Sequence, residues 1–299
     1  MSARPRLAAV PAAAPKASAP RLEDAFGQAL TDCLNHLDAY LPDVLERRDA
    51  EALHQLRVAL RRFNVALLSF GNTTAQEALR VRAKSFAVAL AQAREFDVFL
   101  SELFDPVVAQ LGERSGFAAL RLRAERARET AWAAAVEELK SPAFAQFRHD
   151  AAALAPAGAE PLKQAAPRLM AVHLKRAKKR GRRLKAMLPR DCHRLRIALK
   201  KLRYAAEFVA PIYGRKSVKR YLGQVEKLQD LLGRLNDMAE VRAVLGRLTM
   251  EEASNPTEEA DVSFAVGLIL GWHRAGSERL MKKTLKCWSR FKDVEPFWT

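Results

Sequence analysis

Apolar residues recur along this chain three and four positions apart, and proline, glycine or Asp/Asn/Ser/Thr groups interrupt the pattern at intervals of one helix length. The spacing predicts helices near 22–41, 50–70, 74–103 and 106–139, and a short one near 142–154. It predicts four more near 162–188, 190–212, 215–248 and 258–292. The predicted breaks are Pro42, "GNTT" from Gly71, Asp105-Pro106, Pro156 to Pro161, Pro189, Pro211 to Gly214, and "SNPT" from Ser254. No segment alternates with the period of two that a half-buried strand requires. The expectation is an all-α protein built as helical bundles.

One pattern occurs twice. "HQLRVALRRFNVALLSFG" begins at His54, and "HRLRIALKKLRYAAEFVA" begins 139 residues later at His193. "LAQAREFDVFLSEL" from Leu90 resembles "DLLGRLNDMAEVRA" from Asp230 at an offset of 140, matching Arg94 to Arg234 and Asp97 to Asp237. A histidine, His36 or His173, also precedes each basic helix. This internal repeat predicts two pseudo-symmetric four-helix bundles, from about 22–155 and about 162–299. Residues 1–21, rich in Ala, Pro and Arg, read as a disordered tail.

Composition supports the helical reading, with only 13 glycines and 14 prolines in 299 residues. The three cysteines, Cys33, Cys192 and Cys287, are far apart and show no Cys-x-x-Cys spacing. They suit neither a disulfide framework nor a zinc site, and point to a reducing cytoplasm. No stretch approaches the 18 uncharged apolar residues that would mark a membrane span. Charge changes the picture more. The chain carries a net +17, and the segment from Lys163 to Lys227 holds 21 Lys+Arg against three acids, a balance of 21 − 3 = +18. The remainder is close to neutral, so the basicity belongs to one region and needs an explanation beyond solubility.

Helical geometry places Arg57, Arg61 and Arg62 each within about 80° of His54. Leu56, Leu60, Phe63, Leu67 and Phe70 occupy the opposite side. In the second copy His193, Arg196, Lys200, Lys201 and Arg203 share one face, and Leu195, Leu199, Leu202 and Val209 the other. A solvated amphipathic helix would explain one such pattern. It explains less well two cationic faces with no compensating acid before Glu207, preceded by "KRAKKRGRRLK" from Lys175. A row of cations about 25 Å long exceeds the needs of one phosphate and suits a polymer. Arg and Lys both engage phosphate oxygens. Each histidine either donates a ring N–H to phosphate, best when protonated, or is hydrogen-bonded inside its bundle. Arg94, Asp97, Arg234 and Asp237 read as bracing residues. No Gly-rich phosphate loop, His-x-x-x-His or cluster of carboxylates on the cationic face suggests catalysis, a metal or a cofactor. Nucleic acid is the alternative ligand, with Tyr204, Tyr213 and Tyr221 as stacking candidates, although no reader motif stands out.

"DAEALHQLRVALRRFNVALLSF", "CHRLRIALKKLRYAAEFV", "VEKLQDLLGRLND" and the closing "RFKDVEPFW" resemble the CHAD family, the conserved histidine α-helical domain, over about residues 22–299. The resemblance implies two pseudo-symmetric four-helix bundles with basic residues lining a central surface or pore. It further implies non-catalytic binding of inorganic polyphosphate and, in some members, association with polyphosphate granules. On matching positions the implied contacts are His54, Arg57, Arg61 and Arg62, then His193, Arg196, Lys200, Lys201 and Arg203. Lys175, Lys178, Lys179, Arg182, Arg183, Lys219, Arg220 and Lys227 are the implied further contributors. Asn64 stands where the second copy has Arg203 and the family pattern tends to be basic, which implies a stronger grip in the second half. The Glu-x-Glu-x-Lys strand of the CYTH domain that accompanies many relatives does not occur in the sequence.

Overall fold

The computed structural model describes residues 19–71, 73–156, 158–186, 188–250, 255–275 and 277–299. Most of the N-terminal tail and the start of "SNPT" lie outside these residues. The described chain is all-α, with no strand among the described residues and one isolated bridge between Arg21 and Pro161. Twelve α-helices follow one another among the described residues. They are α1 (Leu22–Arg47), α2 (Ala50–Phe70), α3 (Thr74–Ala89), α4 (Ala91–Val98), α5 (Asp105–Leu111) and α6 (Phe117–Lys140). After these come α7 (Pro142–Ala152), α8 (Leu162–Gly181), α9 (Pro189–Val209), α10 (Arg215–Leu248), α11 (Pro256–Arg274) and α12 (Ser277–Lys292).

Local chemistry explains most boundaries. Asp49 caps α2 by accepting from the Ala52 N–H at 2.6 Å, and Gly71 ends it. Thr73 and Gln76 form a capping box at the start of α3, and Ser141 and Asn255 cap α7 and α11. Two expected breaks are absent. Helix α1 runs through Pro42 to Arg47, because Pro42 and Asp38, whose carbonyl loses its donor, both face solvent. The helix also continues through Asp105-Pro106, by way of a π-helical turn over Phe99–Phe104 in which the Asp105 N–H bonds Leu100 O. Conversely, the predicted 258–292 helix is two elements, α11 and α12.

The two helix hairpins α1–α2 and α8–α9 are packed pairs, and α2 and α9 also pack directly on each other. Leu53, Leu56, Leu60, Phe63, Leu67 and Phe70 on α2 are buried, as are Leu195, Leu199, Leu202 and Val209 on α9. Phe70 bridges the pair, with Phe26 of α1 at 5.5 Å on one side and Phe208 of α9 at 5.9 Å on the other. Burying such a ring contributes roughly 2–3 kcal/mol, so the apolar stripes fix how the cationic stripes face. At this same end of the hairpins, where α1 and α8 begin, the Leu22 N–H donates to Glu160 O and the Leu162 N–H donates to Pro20 O, each at 2.9 Å. The two bonds exchange equivalent positions, Pro20 with Glu160 and Leu22 with Leu162, which are each 140 residues apart, an offset also found in the sequence repeat.

Candidate functional site: a cationic cleft

The contact of α2 with α9 gathers cations from both repeats. Lys200 lies within electrostatic range of Arg57, Arg61, Arg196 and Arg203. Arg57 sits near Arg61 and Arg94, and Arg61 faces Arg196. His54 completes the group, close to Arg94, Lys200 and Arg61. Helix α10 supplies one wall, where a Cβ on Gly233 would lie 3.9 Å from Arg196 Nε. Glu240 and Asp237 of α10 bring negative charge to that wall.

Burial and like charge act together here. Burial, then the four guanidiniums, lowers the Lys200 ammonium to about 7. Arg57, 6% exposed, is lowered to about 9 by burial and then by Arg61 and Arg94, although its Nη1 donates to Ala87 O at 2.7 Å. Burial, followed by Arg94, lowers His54 to about 4, so its ring is neutral at physiological pH. Asp237 moves the other way, to about 6, chiefly through burial and then Glu240. Arg61, Arg196 and Lys200 make no ion pair among the described residues. The cleft is therefore a partly desolvated concentration of positive charge with few local counter-charges, an arrangement that is electrostatically unfavourable by itself.

The other predicted residues occupy different places. Arg62 is buried, ion-paired with Glu207 and held between the rings of Tyr204 and Phe208, at 5.3 and 5.2 Å. Arg203 reaches the edge of the cleft but also donates to Glu207 at 2.9 Å. Glu207 thus neutralises two of the cations that the sequence leaves uncompensated. Lys201 points away, towards Arg176, Arg80 and Lys84. His193 is exposed and bonds through Nδ1 to Asn236 Oδ1 at 2.7 Å. Lys175, Lys178, Lys179, Arg182 and Arg183 are exposed on and just after α8, and Lys219 and Arg220 on the first turns of α10. Lys227 lies further along α10, beside α12.

Of the bracing candidates, Asp97 is buried and accepts from Arg128 Nε at 2.6 Å and Trp132 Nε1 at 3.1 Å. Its counterpart Asp237 belongs to the cleft, as does Arg94, which pairs with Glu102 at 3.1 Å. The signal for both residues was their place in the repeat. The upstream histidines are internal: His36 bonds Gln55 at 3.0 Å, and His173 bonds Ser69 at 2.8 Å.

The family profile of the CHAD domain matches residues 28–246. The chain belongs to the CHAD domain family. The crystal structure of the CHAD domain from the plant Ricinus communis superposes with a TM-score of 0.76 at 25% identity, covering 95% of this chain and 96% of that one. PptA from Streptomyces chartreusis superposes with a TM-score of 0.68 at 20% identity, covering 90% of this chain and 100% of that one. No curated protein sequence matches the chain. Within this CHAD domain the cleft helices α2 and α9 both lie inside the matched segment, whereas α11 and α12 lie beyond it. No described helix is long and apolar enough to cross a membrane.

Proposed function

We propose that this CHAD domain binds inorganic polyphosphate, without chemical turnover, in the cleft between α2 and α9. The observation that carries the reading is Lys200, a half-buried ammonium among four guanidiniums, which faces Asp237 but makes no ion pair among the described residues. A chain of phosphates offers repeated negative charge at the spacing such a row of donors can use, and it relieves the repulsion stored there. Arg57, Arg61, Arg196 and Lys200 are the principal contacts, with His54 and Arg203 at the edges. Where polyphosphate is condensed into granules, the same affinity carries the protein to them.

The nucleic-acid reading needs accessible aromatic faces. Tyr204 is buried beneath Arg62 and Arg203, and Tyr221 is buried against Phe291, Phe297 and Trp298. Tyr213 packs edge-on to Phe297. None of the three is offered to the cleft, which favours a ligand without bases.

The test is a calorimetric comparison at about 150 mM salt, an ionic strength at which weak surface attraction is screened. Long-chain polyphosphate is expected to bind far more tightly than orthophosphate, and single-stranded DNA at equal phosphate to displace little of it. Arg196→Ala/Lys200→Ala and Arg57→Ala/Arg61→Ala are each expected to weaken binding at least tenfold, the second-half pair by more. Equal affinity for orthophosphate and polyphosphate would falsify the reading.

A further inference from the structure

Helices α10 and α12 lie side by side, and a groove runs between them outside the cleft. At one end a cavity of about 700 Å³ is lined by Arg234 and Asp237 of α10, Arg279 and Lys283 of α12, and Trp272. At the other a cavity of about 790 Å³ is lined by Lys227 and Arg234, with Lys283, Lys286, Cys287 and Arg290 opposite. Arg234 and Lys283 border both, so the two cavities are one furrow. Arg279, Lys283, Lys286 and Arg290 are spaced 4-3-4, a single stripe about 16 Å long. Thr284, Trp288 and Phe291 make the buried stripe that seats α12, with Trp288 against Gly181 of α8 and Phe291 against Tyr221.

Exposed helices ordinarily balance such charges at i,i+3 and i,i+4. Here the six cations, Lys227, Arg234, Arg279, Lys283, Lys286 and Arg290, are all exposed and make no ion pair among the described residues. They meet at most three carboxylates, Glu102, Asp230 and Asp237, and Glu102 is already held by Arg94. Asp237 also faces Arg196 and Lys200, so the furrow starts where the cleft ends.

We propose that the α10/α12 furrow is a second polyanion site, which takes up the length of polyphosphate that emerges from the cleft past Asp237. The identity of the ligand rests on the function proposed above; the furrow and its unpaired cations do not. Long chains then span both sites on one molecule, and the second segment binds at the high effective concentration set by the first. A chain too short to leave the cleft gains nothing.

Two measurements test this on the full chain. The first compares wild type with Arg279→Gln/Lys283→Gln/Lys286→Gln/Arg290→Gln, checked for unchanged helicity and melting. Affinity for long-chain polyphosphate should fall at least tenfold and its salt dependence should flatten, while affinity for tripolyphosphate stays the same. The second needs no substitution. Cys287 is half-buried in the furrow, near Lys227, Lys283 and Arg290, whereas Cys33 and Cys192 are buried. Long-chain polyphosphate should slow its alkylation by iodoacetamide, and tripolyphosphate should not. Unchanged long-chain affinity in the quadruple variant, or alkylation at the free rate under saturating polyphosphate, overturns the proposal. If the furrow variant loses long-chain binding while the Arg196/Lys200 variant keeps it, the cleft reading fails and the furrow stands.

Discussion

An ammonium held at about 7 is part-discharged at neutral pH, and a polyanion entering the cleft restores its proton. Binding at Lys200 therefore takes up protons, and affinity is greatest below about 7 and falls as pH rises through that value. Asp237, at about 6, acts in the same sense, because its protonated form removes a negative charge from the path of the ligand. Besides Asp237, the groups that face Lys200 are Arg57, held at about 9, and Arg61, Arg196 and Arg203, with His54 close by and neutral until about 4. Calorimetry at constant ionic strength should show tighter polyphosphate binding at about pH 6 than at about pH 8, with Lys200 contributing up to roughly tenfold because about 8 lies one unit above its value of about 7. Lys200→Arg should remove the component centred near 7 and leave that of Asp237; an unaltered profile would sink the assignment. Spacing alone placed His54, Arg57 and Arg61 on one face, and there the sequence was enough. Arg62 shares that arc, yet its guanidinium is taken by Glu207, Tyr204 and Phe208 from α9. Only tertiary contact decides such a case, since a periodicity specifies an angle and not the neighbour found there.

At the level of elements, long helices with capping residues were legible, because periodicity and cap chemistry agree over many turns. What escaped were interruptions and continuations decided by neighbours. Within the π-turn over Phe99–Phe104, the Leu103 carbonyl accepts from the His273 ring of α11 at 2.8 Å. Nothing within the segment announces a partner 170 residues away. The position of α12 depends similarly on Gly181, where a Cβ would come within 1.8 Å of the Trp288 ring. Gly181→Ala should force that ring out and loosen α12, costing about 1–3 kcal/mol of stability by overpacking. Denaturant unfolding with Trp fluorescence would detect it. Long-chain polyphosphate binding should weaken with it, while tripolyphosphate binding persists, because α12 forms one bank of the furrow and none of the cleft.

For the whole molecule, the bulk charge balance singled out the segment from Lys163 to Lys227, but it did not distinguish cations gathered in a cleft from those spread over α8. Charge density along a sequence becomes field strength only after folding sets distances. The joint at Pro20, Leu22, Glu160 and Leu162 has a consequence of another kind. Each half lends the other one carbonyl and one amide there, while α1, α8, α2 and α9 interlock above it. These contacts are expected to hold the halves together without covalent continuity between them. Limited proteolysis in 153–157, ahead of the paired residues, should yield two fragments that co-migrate on gel filtration and still bind polyphosphate, separating only in denaturant. Fragments that part under native conditions would show that the peptide link itself holds the halves together. A nick-tolerant joint is what the fusion of two once-separate, self-associating chains would leave behind.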